Sequence, residues 1–376
     1  MGTTTSMDHT PLARALAETL PAPEHIRRLF AEVPRHRFLP DTMWGPDRTG
    51  YDRAADPAGW MRAAYTDQAL TTQRDDGTSG GAGVPSSSSS APTVMARMLT
   101  AAEIEPTSRV LEIGTGTGYN AAMMSRLLGP SQVTTVEIDE GLAEAARSAL
   151  YAEGHYPTVI TGDGETVGGG MPSYDRVIST CTVSQVPAAW LRQVRGHGRI
   201  VTPWSPTPGA PGGVLAVLDS TGGYATGKFE GGLSFMWARG QRWPGQPAPA
   251  PGATPNTTET VTGDPRGPWL DGDQALVLSL MMPSWSYGMR MEPGSDEPYV
   301  WLSSTVCRGW ARLHPDGRIE QGGGRRLVDE ARHSWQRWET QGRPAVSDFG
   351  LTVDLDRGVQ TVWVHGPQHA LWSTHR

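Results

Sequence analysis

The chain has 376 residues, which is enough for two domains and for a core that needs no disulfide or metal to hold it. Its formal net charge of −7 and its pI of about 5.8 argue against nucleic-acid binding. Cys181 and Cys307 lie far apart without CxxC spacing, so we expect neither a disulfide framework nor a metal site. The absence of a bilayer-length apolar run and of a signal pattern predicts a cytoplasmic protein without a membrane partner.

Residues 1–92 are predicted to be mainly helical. Apolar residues at helical spacing, interrupted by Pro21 and Pro23, predict helices before residue 40. Residues 41–63 are rich in Asp, Gly and Pro and are predicted to be a loop. Residues 71–83 are predicted to be polar and flexible, and they lead into a run of five serines at 86–90.

From residue 93 onward, helices and short apolar strands alternate. The pattern predicts helices at 94–102, 120–128 and 141–153, and strands at 109–113, 132–138, 158–160, 176–179 and 199–201. This alternation predicts an α/β fold with a doubly wound, mostly parallel sheet. Two further strands, at 213–218 and 223–229, have no helix between them and predict an antiparallel hairpin that closes the sheet edge.

Residues 243–264 are rich in Pro, Ala, Gly and Thr and predict a linker. The part that contains the α/β fold would then be 1–242, and 265–376 a smaller α+β domain for substrate recognition or an accessory role. In that domain we expect a hairpin turn at 314–317, a helix with Leu327 and Ala331 on one face, and strands at 275–280, 299–302 and 361–364.

The strongest local signal is the glycine-rich stretch 111–120 (LEIGTGTGYN), which follows an apolar strand and opens a helix. Such glycines let a ligand approach backbone N–H groups closely. The G-x-G-x-G spacing differs from that of dinucleotide binders and suits S-adenosylmethionine, whose reaction product is S-adenosyl-L-homocysteine. The predicted cofactor residues of this turn are Glu112, Gly114, Thr115, Gly116, Gly118 and Asn120.

Acidic residues follow the next two predicted strands. Glu137, next to Ile138, ends the second strand, where a carboxylate is expected to hold both ribose hydroxyls. Asp163, between Gly162 and Gly164, follows the third strand and is expected to accept a hydrogen bond from the adenine amine. Either acidic segment alone could merely cap a helix, whereas all three elements at matched positions predict the cofactor site.

Several motifs resemble those of the protein-L-isoaspartate O-methyltransferase family, in order, over about residues 12–241. They are 30–40 (FAEVPRHRFLP), 64–70 (AYTDQAL), 88–92 (SSSAP), 174–178 (YDRVI) and 198–203 (GRIVTP). The resemblance implies a Rossmann-like, class I S-adenosylmethionine-dependent methyltransferase fold. It also implies an enzyme that esterifies a carboxylate.

In that family, the serine of a T-I-S-[QA]-P segment helps to hold the substrate carboxylate. By motif position this serine is Ser90, with Ser88 at the threonine, and Ser89, Ala91 and Pro92 complete the substrate segment. Ser89 departs from the family's isoleucine, and composition alone would make a serine run a linker. We expect the serines to orient the carboxylate rather than to act as nucleophiles, because no His/Asp pair is placed to activate them.

Residues 342–353 resemble the C-terminal extension of an actinobacterial subgroup of this family. That subgroup methylates an aspartate of a ribosomally made, modified precursor peptide (lanthipeptide, lasso peptide or graspetide), and the ester then yields aspartimide or isoaspartate. The resemblance therefore implies a precursor peptide as substrate. Two alternatives remain: repair of isoaspartyl proteins, and a non-catalytic, cofactor-binding partner protein.

Overall fold

The computed structural model describes residues 8–167, 173–206, 212–242, 249–250 and 252–375. The chain divides into two compact units, and neither is one continuous segment. The first contains the residues up to Cys181, Pro187–Thr202 and Asp219–Gly223. The second contains Thr182–Val186, Pro203–Leu218 and the residues from Tyr224 onward. The units therefore divide at other points than the predicted boundary after residue 242.

The first unit begins with two helices, α1 (Thr10–Thr19) and α2 (Glu24–Glu32), as the proline-interrupted pattern predicts. Their apolar faces are buried through residues such as Leu16, Ile26 and Phe30. Beyond α2, the prediction of a mainly helical N-terminal part is wrong.

A small antiparallel sheet occupies the segments predicted to be loop and flexible chain. It consists of β1 (Thr42–Trp44), β2 (Gly50–Asp52), β3 (Leu70–Arg74) and β4 (Pro85–Ser89) in the order β2-β1-β3-β4, and α3 (Pro57–Ala64) lies between β2 and β3 along the chain. These strands are short and polar, so they carry no apolar alternation that would reveal them. The first four serines of the run thus lie in the strand β4, and the run is not a linker.

The α/β part of the first unit matches the predicted order. Its strands β5 (Val110–Ile113), β6 (Val133–Glu137), β7 (Thr158–Thr161), β8 (Tyr174–Ser179) and β9 (Val194–Trp204) are parallel and ordered β7-β6-β5-β8-β9. The helices are α4 (Pro92–Ala101), α5 (Tyr119–Leu128), α6 (Glu140–Ala152) and α7 (Ala188–Gln193). Because the strands are parallel, the carboxyl ends of β5, β6 and β7 open at one edge of the sheet, where ligands of such folds bind.

The rest of the chain carries ten strands and three helices within the described residues. They are β10 (Gly213–Ser220), β11 (Tyr224–Leu233), β12 (Thr257–Thr260), α8 (Gly267–Leu270), α9 (Gly272–Met281), β13 (Trp285–Arg290), β14 (Tyr299–Ser304), β15 (Trp310–Leu313), β16 (Arg318–Gly322), α10 (Leu327–Thr340), β17 (Phe349–Asp354), β18 (Val359–Val364) and β19 (Ala370–His375).

A five-stranded antiparallel sheet, β12-β16-β15-β14-β13, forms one layer of the second unit. Its core joins residues of this sheet to α9 and α10, among them Leu278, Val300 and Leu327. The predicted strand at 275–280 is wrong, because these residues belong to α9. This helix is buried on all sides, and a short, fully apolar run cannot distinguish a buried helix from a buried strand.

The predicted linker 243–264 contains β12, so it is not wholly an irregular connection. Residues 243–248 and 251 of that segment lie outside the described residues. The predicted hairpin turn at 314–317 is confirmed by the antiparallel pairing of β15 with β16, and the predicted helix is α10.

The strands β10, β11, β17, β18 and β19 follow one another in sheet order. The strands predicted at 213–218 and 223–229 are present, but β11 does not end the sheet as expected. Its other side pairs with β17, from Tyr224 opposite Asp354 to Lys228 opposite Gly350. The partner strand lies more than 100 residues further along the chain, so no local pattern reveals it.

In the part of the chain that the structure describes, no helix combines the length and apolar character needed to cross a bilayer. Over the same residues, no group of three or more His, Cys, Asp and Glu side chains is arranged to hold a metal ion.

Candidate active site

The glycine-rich turn begins where β5 ends. Gly114 and Thr115 donate their backbone N–H groups to Val136 O of β6, at 2.8 and 3.2 Å. Gly114, Gly116 and Gly118 have φ angles of 89°, 53° and 85°, in the left-handed region that favours glycine. A Cβ atom on Gly114 would lie 2.5 Å from Thr180 Oγ1, so a larger residue is also excluded by space.

Glu112 supports this turn from beneath, with its side chain fully buried. Asn120 Nδ2 donates to Glu112 Oε1 at 2.7 Å, and Thr135 Oγ1 donates to Glu112 Oε2 at 2.6 Å. A further hydroxyl bond of 2.7 Å joins Thr135 to Thr115. Burial raises the pKa of Glu112 to about 7, against the lowering effect of these hydrogen bonds. Glu112, Thr115 and Asn120, predicted to bind cofactor, thus hold one another and fix the shape of the turn.

Glu137 lies at the carboxyl end of β6, directly beside the glycine turn. Its Oε2 accepts a hydrogen bond from Gly116 N at 2.8 Å, and its Oε1 accepts one from Asp139 N at 3.1 Å. The neighbouring Ile138 is 41% exposed, which is unusual for a large apolar residue at the end of a buried strand. Asp139 caps α6 by accepting from Leu142 N. Strand β6 therefore presents a buried carboxylate and an open apolar surface next to each other.

The segment after β7 lies next to the end of β6. Gly162 N donates to Glu137 O at 2.8 Å, and Asp163 Oδ1 accepts from Glu165 N at 2.9 Å. Its other carboxylate oxygen, Oδ2, makes no hydrogen bond to any described residue. Gly164 is tightly packed, because a Cβ there would lie 2.5 Å from Ile113 Cγ2. The three predicted cofactor segments thus meet at one sheet edge.

The serine segment is the outer strand of the small sheet. Ser88 pairs with Thr71 and Ser89 with Leu70, so the backbone is fixed by β3. Side chains alternate along a strand, and Ser87 and Ser89 are buried at 7% and 3% exposure, while Ser88 is half-buried. Within the described residues, the hydroxyls of Ser88 and Ser90 form no hydrogen bond and are available to a ligand.

The serine strand lies against the glycine turn. A Cβ atom built on Gly116 would be 3.6 Å from both Ser87 Oγ and Ser88 O. The backbones of β4 and of the turn are therefore nearly in contact, although their sequence positions differ by about 28 residues. The predicted substrate segment and the predicted cofactor segment are therefore neighbours in the structure. After the strand, Ala91 is the N-cap of α4 and Pro92 is buried in its first turn, which fixes the direction in which the chain leaves the site.

Arg35 holds the serine strand in place, although sequence analysis assigned it no role beyond its place in the 30–40 motif. Its guanidinium is fully buried. Nε donates to Ser89 Oγ at 3.2 Å, and Nη2 donates to Ser89 O and Ser90 O at 3.2 and 3.0 Å. Nη1 donates to the backbone carbonyls of Ala64 and Thr66, and Nη2 also donates to that of Gln68. Its occurrence in the 30–40 motif was the only feature of the sequence that indicated a role for Arg35.

The motif at 64–70 has a structural role next to Arg35. Asp67 accepts hydrogen bonds from Thr93 N at 2.8 Å and Thr93 Oγ1 at 2.5 Å, which caps the first turn of α4 where Ala91 offers no side-chain cap. Tyr65 Oη and His36 Nδ1 are 2.7 Å apart. Burial lowers the pKa of His36 to about 4, so this ring is neutral at physiological pH.

The β3–β4 hairpin is also tied to the cofactor edge. Gln73 Nε2 donates to Asp139 Oδ2 at 3.2 Å, and Ser86 Oγ donates to Gln73 Oε1 at 2.8 Å. Gln73 thus joins the serine strand to the first turn of α6. The polar stretch predicted to be flexible contributes a fixed contact to the site.

Residues 13–209, slightly more than half of the chain, match the model of the protein-L-isoaspartate(D-aspartate) O-methyltransferase family. The chain belongs to this family. The match confirms the family that the motifs predicted.

Relatives named protein-L-isoaspartate O-methyltransferase share part of the sequence. The protein of Ignicoccus hospitalis is 43% identical over 122 residues, which cover 32% of this chain and 58% of that protein. The protein of Methanosarcina mazei is 34% identical over 182 residues, covering 48% of this chain and 63% of that protein. The chain thus spans roughly three fifths of the length of these curated relatives.

A solved structure named protein-L-isoaspartate O-methyltransferase has a similar fold, with a TM-score of 0.54 and 21% sequence identity. The similarity covers 93% of this chain and 97% of that structure, so it extends beyond the residues that match the family model. The predicted α/β methyltransferase fold is confirmed. The subgroup that modifies precursor peptides is not distinguished from the family by these similarities.

Proposed function

We propose that this member of the protein-L-isoaspartate O-methyltransferase family transfers a methyl group from S-adenosylmethionine to the free carboxylate of an isoaspartyl residue in peptides and proteins. The single observation that carries the proposal is the contact of the serine strand with the glycine turn at Gly116. A carboxylate held by Ser88 and Ser90 would there lie close to a cofactor bound at the turn.

The residues at the sheet edge fit S-adenosylmethionine. Glu137 would hold the ribose hydroxyls, since each carboxylate oxygen has lone pairs beyond those used by Gly116 N and Asp139 N. Ile138 offers an apolar surface to the adenine. Asp163 Oδ2, which makes no hydrogen bond to a described residue, would be free to accept one from the adenine amine. Asn120 Oδ1 is a buried acceptor with no hydrogen-bond partner among the described residues, which suits a site completed by a polar ligand.

The chemical task of the chain is positioning. When bound, S-adenosylmethionine supplies an electrophilic methyl group. A carboxylate with a pKa of about 4 is already ionised at neutral pH, so no general base is needed. Ser88 and Ser90 would orient one carboxylate oxygen as hydrogen-bond donors, and the hairpin fixed by Gln73 would limit water access. Serine nucleophilicity is not required, and the nearby His36 is neutral and bonded to Tyr65.

The isoaspartyl carboxylate is the substrate that the similarities favour. The relatives carry that name, and the fold similarity reaches over 93% of the chain. The second unit therefore does not by itself set this chain apart from proteins of that name, although residues 342–353 resemble the extension of the precursor-peptide subgroup. We assign residues 265–376 a part in substrate recognition as part of this proposal.

An aspartate of a modified precursor peptide is the second candidate substrate. The observation in its favour is Ser89, where the family pattern has isoleucine, in a serine strand that binds Arg35 through a hydroxyl. A changed strand at the carboxylate site would suit a changed peptide, and the resulting ester could close to aspartimide or isoaspartate. The intact turn, Glu137 and free serine hydroxyls argue against a non-catalytic binding partner.

Two peptides that differ only at one residue test the proposal. The full chain is incubated with S-adenosylmethionine and a peptide that contains isoaspartate or, in the matched control, ordinary aspartate, and mass spectrometry follows both. We expect a gain of one methylene group on the isoaspartyl peptide alone. Methylation of the aspartyl peptide, but not of the isoaspartyl peptide, would favour the second candidate. Cofactor binding without transfer to any carboxylate would refute both.

A further inference from the structure

Among the residues that the structure describes, the buried charge of Arg35 has no acidic hydrogen-bond partner. Its six hydrogen bonds reach five different residues, and every acceptor is a backbone carbonyl or a hydroxyl. The acidic group whose charge acts on it is Asp67, which lies at the surface and is engaged by Thr93. A buried charge is costly unless something compensates it. Burial accordingly lowers the pKa of Arg35 to about 10, which still leaves the group charged at neutral pH.

The hydrogen bonds of Arg35 also determine how it can act. All of its N–H groups point at acceptors of the protein, so none is left for a direct ion pair with a substrate. A direct arginine–carboxylate pair would hold the nucleophilic oxygen and reduce its reactivity. A charge held behind Ser89 and Ser90 attracts the carboxylate without occupying its oxygens.

We infer that Arg35 is a positioning residue for the substrate carboxylate: it fixes the serine strand through Ser89 and Ser90, and its buried charge gives the site its preference for an anion. This inference rests on the proposed function and names the group that would make the site select a carboxylate over a neutral amide. The contact of Arg35 with Ser89 Oγ also gives the serine at this position a use that an isoleucine could not have.

The test compares two ligands that differ in charge. One is an isoaspartyl peptide with a free α-carboxylate, and the other is the same peptide with that group converted into a carboxamide. Dissociation constants of both are measured in the presence of S-adenosyl-L-homocysteine for the full chain and for R35M. We expect R35M to bind the carboxylate about 10- to 100-fold more weakly and the carboxamide with little change. The affinity for S-adenosyl-L-homocysteine should stay unchanged.

R35M leaves buried carbonyl groups unpaired and could therefore fail to fold. A second pair of variants covers that case. R35K keeps a charge and should retain the preference for the carboxylate, while kcat falls because the serine strand is less well held. D67N removes the opposing charge and should strengthen the preference for the carboxylate by about two- to fivefold.

The possible results separate the inference about Arg35 from the proposed substrate class. A folded R35M that keeps the wild-type ratio of carboxylate to carboxamide affinity would make Arg35 a structural residue only and overturn the inference. An unchanged or weaker preference in D67N would count against it in the same way. If the wild-type chain binds S-adenosyl-L-homocysteine but neither peptide, the proposed substrate class fails, and the inference fails with it.

Discussion

Glu137 offers the sharpest test of the cofactor site, because its two oxygens join the glycine turn to the end of β6. In E137Q the side chain keeps its shape and loses its charge. The carboxylate accepts from Gly116 N at 2.8 Å and from Asp139 N at 3.1 Å. A glutamine has a single acceptor oxygen, so its amide NH₂ group must face one of these N–H donors.

The expected loss follows from these contacts. A hydrogen bond to a charged group contributes about 1.5–3 kcal/mol, and about 1.4 kcal/mol corresponds to a factor of ten in affinity. We therefore expect the Kd for S-adenosyl-L-homocysteine to rise about 10- to 100-fold in E137Q. Isothermal titration calorimetry measures this directly. E140Q is the matched control, because Glu140 is exposed in the first turn of α6 only three residues away.

Two outcomes would refute the reasoning. An E137Q protein that binds S-adenosyl-L-homocysteine within about twofold of the wild-type affinity would show that Glu137 does not hold the cofactor. An equal loss in E140Q would show that the effect is a general response to surface charge. A thermal unfolding curve of each variant establishes that the titrated protein is folded.

Three further changes test other parts of the account. S90A should lower kcat/KM for the isoaspartyl peptide about tenfold without changing the affinity for S-adenosyl-L-homocysteine, whereas S131A, at an exposed position, should leave both unchanged. Equal kcat/KM values for S90A and the wild type in a methylation assay would contradict this. Because the pKa of Glu112 is raised from 4.5 to about 7, its ionisation lowers the free energy of unfolding as the pH rises through that interval. Urea unfolding should show that this free energy declines by up to ~3 kcal/mol in the wild type but not in E112Q. Parallel pH profiles of stability for the two proteins would disprove this. L278A, in the core of the second unit, should reduce the free energy of unfolding by about 2–5 kcal/mol, while V306A at an exposed position should cost little; similar denaturation midpoints for the two variants would refute the assignment of that core.

The glycine turn and its acidic neighbours could be predicted because their signals are local. An apolar strand, glycines with positive φ and a following helix are consecutive in the sequence, and parallel strand order then places Glu137 and Asp163 at the same edge. The roles within the turn were less visible. Glu112 and Asn120 bond to each other, so their part in shaping the turn emerges only from the packed structure.

The structure around the proposed carboxylate site could not be predicted from local pattern alone. Ser89 is fixed by Arg35, which is 54 residues away along the chain, and a serine run carries no apolar alternation that would indicate a strand. The same limitation explains α9, where complete burial removes the amphipathic period of a helix. Family motifs located Ser88 and Ser90, whereas the contacts that hold them required the structure.

A crystal structure of the protein with S-adenosyl-L-homocysteine and an isoaspartyl peptide tests the central claim most directly. The account predicts the peptide carboxylate within hydrogen-bonding distance of the hydroxyls of Ser88 and Ser90, and the ribose at Glu137. It also predicts that Arg35 keeps its bonds to Ser89 and Ser90. A carboxylate bound away from the serine strand, or paired directly with an arginine, would contradict it.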